Sequence, residues 1–238
     1  MREAVKAFDQ VAGFYDDWYS HPQGRQVLKA ELTALESLIP DSGLGLEVGA
    51  GTGVFAESLS EKDRTIICLD PSGAMLAKAR ERKMPAIMGV GEHIPITEGA
   101  VGFAYMVTTL EFLEYPVAAF NQVRETTKKD APLTIMFINA DSAWGSLYRR
   151  IGAKGDPVFR HARLRSLPEV HEMLVEAGYV IQESVGTLTT GPAELDVGGE
   201  LKEPGPETGV IVVRASPENN SIPKKGDIPD KPGMLHQV

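Results

Sequence analysis

Residues 45–53 read GLEVGAGTG: a short apolar run, the acid Glu47, then Gly49, Gly51 and Gly53 with nothing larger than Ala50 and Thr52 between them. Glycine reaches positive φ at little cost and lets another group approach the backbone closely. Glycines clustered between an apolar run and a helical pattern predict a strand-to-helix turn with a ligand lying against it. Such a turn belongs to a βαβ unit, which requires a parallel sheet covered by helices. The rest of the chain agrees. Strand-like runs at 44–48, 65–69, 86–88, 103–107 and 133–138 alternate with helical patterns at 53–60, 72–82 and 117–127. A helical stretch follows near 142–151, then LPEVHEMLVEAG, where Gly178 is placed to end the helix. The last two runs, 179–188 and 209–215, have no long helical pattern between them, which predicts an antiparallel hairpin.

The first forty residues read as helical. Phe8, Val11, Ala12, Tyr15 and Tyr19 recur at three- and four-residue steps, as do Val27, Leu28, Leu32, Leu35 and Leu38, with SHPQG (20–24) between the two sets. The opening MREAVKAFDQ is charged and helical rather than a secretory leader, and no stretch approaches the 18 or more apolar residues of a membrane span. A net charge of −9, from 24 basic against 33 acidic residues, provides no basic footprint for phosphates. The expected partner is therefore a small molecule, not nucleic acid or membrane. The lone Cys68 cannot form an internal disulfide, which fits a cytoplasmic setting, and its strand pattern makes it core. The histidines show no metal spacing, so no metal is expected. One domain over 1–215 and a proline-rich tail over 216–238 complete the expected organisation.

A phosphate-binding loop would carry Lys-Ser or Lys-Thr where Val54-Phe55 stand. A dinucleotide loop prefers G-x-G-x-x-G, and Glu47 would sit poorly beside a pyrophosphate. The G-x-G-x-G spacing behind an acid suits a ligand carrying positive charge. Asp70 ends the second strand-like run and can accept from both hydroxyls of a ribose. It can equally cap a helix with Pro71 at the first position.

Four segments in order, LEVGAGTGVFAESL, CLDPSGAMLAKAR, GVGEHIPI and MVTTLEFLEYP, resemble the class I S-adenosylmethionine-dependent methyltransferases, especially the small-molecule branch called type 11. The resemblance spans roughly residues 8–215 and implies a Rossmann-like α/β fold: a seven-stranded, mostly parallel sheet with helices on both faces and a C-terminal antiparallel hairpin. It also implies the cofactor S-adenosylmethionine, with S-adenosylhomocysteine as product. By resemblance, Gly49, Ala50, Gly51 and Gly53 pass under the methionine part, with Glu47 near its amino group. Asp70 binds the ribose, Pro71, Ser72 and Met75 lie by the adenine, and Gly91, Glu92 and His93 close its other face. Val107 and Thr108 border the sulfonium. FYDDWY resembles the lid helix, which places Tyr15 and Tyr19 over the site. The chain departs from the family at Val90, where an acid is common, and at Val101-Gly102, where Phe-Asp is usual.

The implied activity is methyl transfer to a small-molecule acceptor by in-line displacement in a water-excluded pocket. No protein nucleophile is required. Glu111, at the sheet's carboxyl end, and His161 are the candidate bases, each with a structural reading beside it: a solvated loop acid and a surface histidine. Trp144 and Tyr148 are either acceptor-pocket walls or core. Two other classes fit the same frame, a regulatory protein that binds cofactor without turnover and a nicotinamide-dependent oxidoreductase.

Overall fold

The computed structural model describes residues 2–60, 63–194 and 196–218. The chain opens with α1 (Arg2–Val11), α2 (Asp17–Ser20) and α3 (Pro22–Glu36). Then come β1 (Gly43–Val48), α4 (Val54–Leu59), β2 (Arg64–Asp70), α5 (Gly73–Glu81), β3 (Ala86–Met88), β4 (Phe103–Val107), α6 (Pro116–Thr126) and β5 (Leu133–Ile138). Helices α7 (Ala143–Ala153) and α8 (Leu167–Glu176) lead to β6 (Tyr179–Thr187) and β7 (Val210–Pro217). These elements match the sequence expectation closely. Of the tail, residues 219–238 lie outside the described residues.

One sheet holds all seven strands in the order β3-β2-β1-β4-β5-β7-β6. The first five pair in parallel, and β7 pairs antiparallel with both β5 and β6, as the hairpin reading required. Strand β7 lies inside, between β5 and β6, so the earlier of the two late strands forms the edge.

The two-residue period of each strand sorts its side chains onto two layers. Phe103, Tyr105, Val107, Met136, Val210 and Val212 face α3, α4 and α5, where Ala34, Leu35, Phe55, Leu59 and Leu76 pack on them. Ala104, Met106, Ile135, Phe137, Ile211 and Val213 face α6 and α8 through Phe120, Val123, Val170 and Leu174. Cys68 is buried in the first layer. Gly45 is where Phe103 crosses: a Cβ there would lie 2.4 Å from its ring.

One local expectation is corrected. Asp70 is still the last residue of β2, and Ser72 caps α5, its Oγ accepting from the Met75 N–H (3.1 Å). A serine two residues on does the work assigned to Asp70, so Pro71 precedes the cap instead of opening the helix. No helix among the described residues is long and apolar enough to cross a membrane.

Candidate active site

The chain leaves β1 for β2 and β3 on one side and returns to β4 on the other, so strand order reverses between β1 and β4. Ligands of open α/β sheets lie at the carboxyl ends of the strands at such a point. The glycine loop after β1 and the Thr108 turn after β4 flank it.

All three loop glycines have positive φ: 74° at Gly49, 54° at Gly51 and 77° at Gly53. Their surroundings differ. A Cβ on Gly49 would lie 2.4 Å from the Thr109 side chain, and one on Gly53 would meet Ala79 of α5 at 3.0 Å. A Cβ on Gly51 would enter open space. Gly49 and Gly53 therefore serve packing, whereas Gly51 keeps a cradle clear.

Asp70 ties the loop to the next unit. Its Oδ2 accepts from the Gly51 N–H (2.9 Å) and its Oδ1 from the Ser72 N–H (2.8 Å). Burial pushes its carboxyl up to about 6, with the two N–H donors opposing the shift and Asp9 adding to it.

A narrow cleft of about 100 Å³ runs along this loop. Among the predicted residues, Tyr15, Gly49, Gly51, Asp70, Pro71, Ser72, Met75, Gly91, Glu92, Val107 and Thr108 line it. Phe8, Thr109 and Phe112 line it too, which the motif reading did not anticipate; Phe8 stands on the same helical stripe as Val11 and Tyr15. Glu92 Oε1 accepts from the N–H groups of Glu114 and Tyr115 (3.1 Å each), while its Oε2 is buried without a partner.

The other predicted residues stand outside this lining. Ala50 is buried behind the loop, its N–H bonded to Leu69 O (3.0 Å). Glu47 is buried one layer down, accepting from the Tyr105 hydroxyl (3.0 Å), and burial pushes it up to about 8. Gly53 packs against α5 as described, and His93 is exposed. His161 ends a short 3-10 turn, Phe159–His161, half-buried. Glu111 is buried rather than solvated: its Oε1 accepts the Ile138 N–H at the end of β5 (2.7 Å), and its Oε2 has no partner. Burial raises its carboxyl to about 7, against the opposing Ile138 hydrogen bond.

The N-terminal helices cover the cleft. Asp9 accepts from Ser72 Oγ (2.6 Å) and the Ala74 N–H (3.3 Å). Between α1 and α2, Asp16 accepts from Thr52 Oγ1 (2.7 Å) and pairs with Arg82 (2.8 Å), whose Nε donates to Thr52 O (3.1 Å). Phe8 stacks edge-on against Phe112 with centroids 5.0 Å apart. Carboxylates at both ends of the cover thus fasten it to the glycine loop and to α5.

Behind Tyr15 lies a second, larger cavity of about 650 Å³. The two cavities share Tyr15, Thr108 and Phe112. Thr108 holds a φ of 45°, a conformation costly for a non-glycine residue, at this junction. Trp144 and Tyr148 of α7 are among the walls, and Trp144 Nε1 donates to Thr190 O (2.9 Å). Glu31 of α3 also lines the cavity, and the sequence reading passed over it. Its signal was an acid at the middle of the 27, 31, 35 step on an otherwise apolar helix face.

S-adenosylmethionine would meet three features of the cleft. Gly51 leaves room against the backbone, Asp70 stands at the end of β2, and the orphaned Glu92 Oε2 offers an acceptor to a ligand donor. These groups fit.

Comparison with known proteins agrees. A family profile described as a methyltransferase domain matches residues 46–135. An uncharacterized protein of Mycobacterium tuberculosis is 32% identical over 227 residues, covering 95% of this chain and 78% of its own. One of Methanocaldococcus jannaschii is 31% identical, covering 89% and 98%. A crystal structure from Thermotoga maritima, described as an SAM-dependent methyltransferase and possible histamine N-methyltransferase, superposes with a TM-score of 0.79 at 30% identity, covering 90% of this chain and 99% of its own.

Proposed function

The chain belongs to the class I S-adenosylmethionine-dependent methyltransferases, and we propose that it methylates a small molecule held in the larger cavity. The observation that carries this reading is the contact between the two cavities at Tyr15, Thr108 and Phe112, which gives a cofactor cleft and an acceptor chamber one shared wall. When bound, S-adenosylmethionine supplies a methyl group on a sulfonium, the electrophile of an in-line displacement.

The protein's part is alignment and exclusion of water. Gly51 leaves the backbone open to the ligand, Asp70 offers the ribose a carboxylate, and Glu92 Oε2 offers an acceptor that Val90 cannot. Phe8, Tyr15 and Phe112 shut out solvent from the cover and from the turn after β4. Glu111 and His161 lie outside both linings, so neither is assigned the acceptor's proton. The acidic surface and the buried free Cys68 support a small-molecule enzyme of the cytoplasm.

The test has two parts. Titration calorimetry should show that S-adenosylhomocysteine binds the protein. Production of S-adenosylhomocysteine should then be followed with small amines, alcohols and thiols, beside bulk RNA and a protein extract. Turnover on a small molecule is expected. Turnover confined to RNA or protein would overturn the chamber assignment.

A further inference from the structure

Glu31 stands where a core residue belongs. Helix α3 turns Val27, Ala30, Ala34 and Leu35 inward, and Glu31 shares that face with a relative exposure of only 7%. Its carboxylate makes no hydrogen bond or ion pair among the described residues, yet it lines the larger cavity. Burial makes the ionised form costly there, so the acid keeps its proton unless a positive charge comes beside it.

The cavity walls do not supply the missing charge. No Lys, Arg or His is among the lining residues. The other lining acid, Asp156, is already committed to the N–H groups of Val158 (2.9 Å) and Phe159 (2.8 Å). What surrounds Glu31 is aromatic: Tyr15, Trp18, Tyr19, Trp144, Tyr148 and Phe159 all line the same space. The last three form a continuous wall, with ring centroids 6.4 Å apart between Trp144 and Tyr148 and 4.4 Å between Tyr148 and Phe159. Aromatic faces attract cations, and more strongly when water is excluded. An acid without a partner, neutral while the chamber is empty and ionised once a positive charge comes beside it, is complementary to an organic cation when its chamber is aromatic and holds no positive group.

We propose that the larger cavity takes an organic amine with an apolar or aromatic body, and that Glu31 binds its ammonium group and receives the proton that group must release. The proposal rests on the methyl-transfer reading above and names its acceptor. A nitrogen that attacks carbon needs a free lone pair, so the ammonium first gives one proton to the Glu31 carboxylate. The lone pair then bonds the methyl carbon while the carbon–sulfur pair stays on sulfur, and the methylated product is a cation again. Burial, with Glu111 adding to it, pushes the Glu31 carboxyl up to about 8 in the protein alone, so it holds a proton near neutral pH while the chamber is empty; a bound ammonium favours the carboxylate, which then takes the ammonium's proton when the lone pair is needed. The same arrangement disfavours carboxylate-bearing acceptors, whose charge would be taken out of water beside no positive group.

Both tryptophans of the chain, Trp18 and Trp144, line this cavity, so intrinsic fluorescence reports binding directly. The probes are 2-phenylethylamine, the neutral 2-phenylethanol and the anionic 3-phenylpropanoate, each titrated with S-adenosylhomocysteine present. The wild-type protein should bind the amine at least about tenfold more tightly than the alcohol and should not detectably bind the acid. Glu31→Gln should lose that preference while keeping its affinity for S-adenosylhomocysteine. Glu31→Leu, which suits the helix's apolar face, should behave alike and covers the case in which the amide does not fold. Absence of amine binding, equal binding of amine and alcohol by wild type, or an undiminished preference in the variants would overturn the proposal. Failure of wild type to bind S-adenosylhomocysteine in calorimetry would instead strike the methyl-transfer reading.

Discussion

Alanine at Gly49 and at Gly51 should produce opposite failures, although the two glycines are two residues apart with similar backbone. Both sit at positive φ, 74° and 54°, where a side chain costs about 1–2 kcal/mol. At Gly51 that strain is the whole structural penalty, because the new methyl would meet nothing within 4 Å. The stiffer unfolded chain offsets some of it, about 0.4–1 kcal/mol, leaving a net loss of about 1 kcal/mol. At Gly49 the methyl would press on Thr109 at 2.4 Å. Thr109 Oγ1 is itself held by the carbonyls of Gly49 (3.3 Å) and Val107 (3.1 Å). Displacing it adds an overpacking cost of about 1–3 kcal/mol and a lost hydrogen bond worth about 1 kcal/mol. Urea unfolding of the unliganded proteins should therefore place Gly49→Ala at least ~2 kcal/mol below Gly51→Ala. Calorimetry should show the converse in function: Gly51→Ala is folded but has no measurable affinity for S-adenosylhomocysteine, because its methyl occupies the cradle. Equal stability of the two variants, or full-affinity binding by Gly51→Ala, would refute this division of roles.

Asp70→Ala should weaken S-adenosylmethionine binding by about 1.5–3 kcal/mol, as for a lost charge-assisted hydrogen bond. It should also lower the unliganded melting temperature, since the Gly51 and Ser72 N–H groups lose their acceptor; unchanged affinity would make Asp70 a structural staple alone. The unliganded protein should lose stability as pH rises from about 5 to about 8. Glu31 and Glu47 are raised to about 8 and Glu111 to about 7 from an ordinary 4.5, so the native state holds more protons than the unfolded state across that window. That stability is present in full below 4.5 and is lost as pH passes the raised values; a melting temperature independent of pH there, or a slope unchanged in Glu31→Gln, would contradict it. Hydrogen exchange over residues 8–21 should be fast without ligand, slower with S-adenosylhomocysteine, and faster in Asp16→Ala, which severs the bonds to Thr52 and Arg82. Equal protection with and without ligand would make the cover ordinary packing.

What could be read in the sequence was what local chemistry decides. The three glycines, the short apolar runs of β4 and β5 and the Pro22 helix start depend on neighbours within a few residues, and each is where it was expected. What escaped depends on which surface a residue meets. Glu31 falls on the apolar face of its helix, but an acid type reads as solvated, and only the packing of α7 across from it encloses it in a chamber. Glu111 is buried because the Ile138 N–H, beyond the last parallel pairing of β5, needs an acceptor. The capping role that the spacing of Asp70 to α5 also allowed falls to Ser72, and Asp70 is freed to reach back to Gly51.

The position of β7 has a consequence during synthesis. Seven strands close into one sheet, but the sixth has no partner until the seventh is made. While the ribosome works through residues 188–209, the bare flank of β5 (Leu133–Ile138, LTIMFI) is an unpaired ribbon edge, apolar at every position but Thr134. An edge of that kind recruits other strands, and nascent chains on one messenger bring the same edge close together. Insertion of VIVVRASP (210–217) fills the gap on both sides at once, so a stall or truncation just upstream should yield aggregate rather than a smaller folded unit.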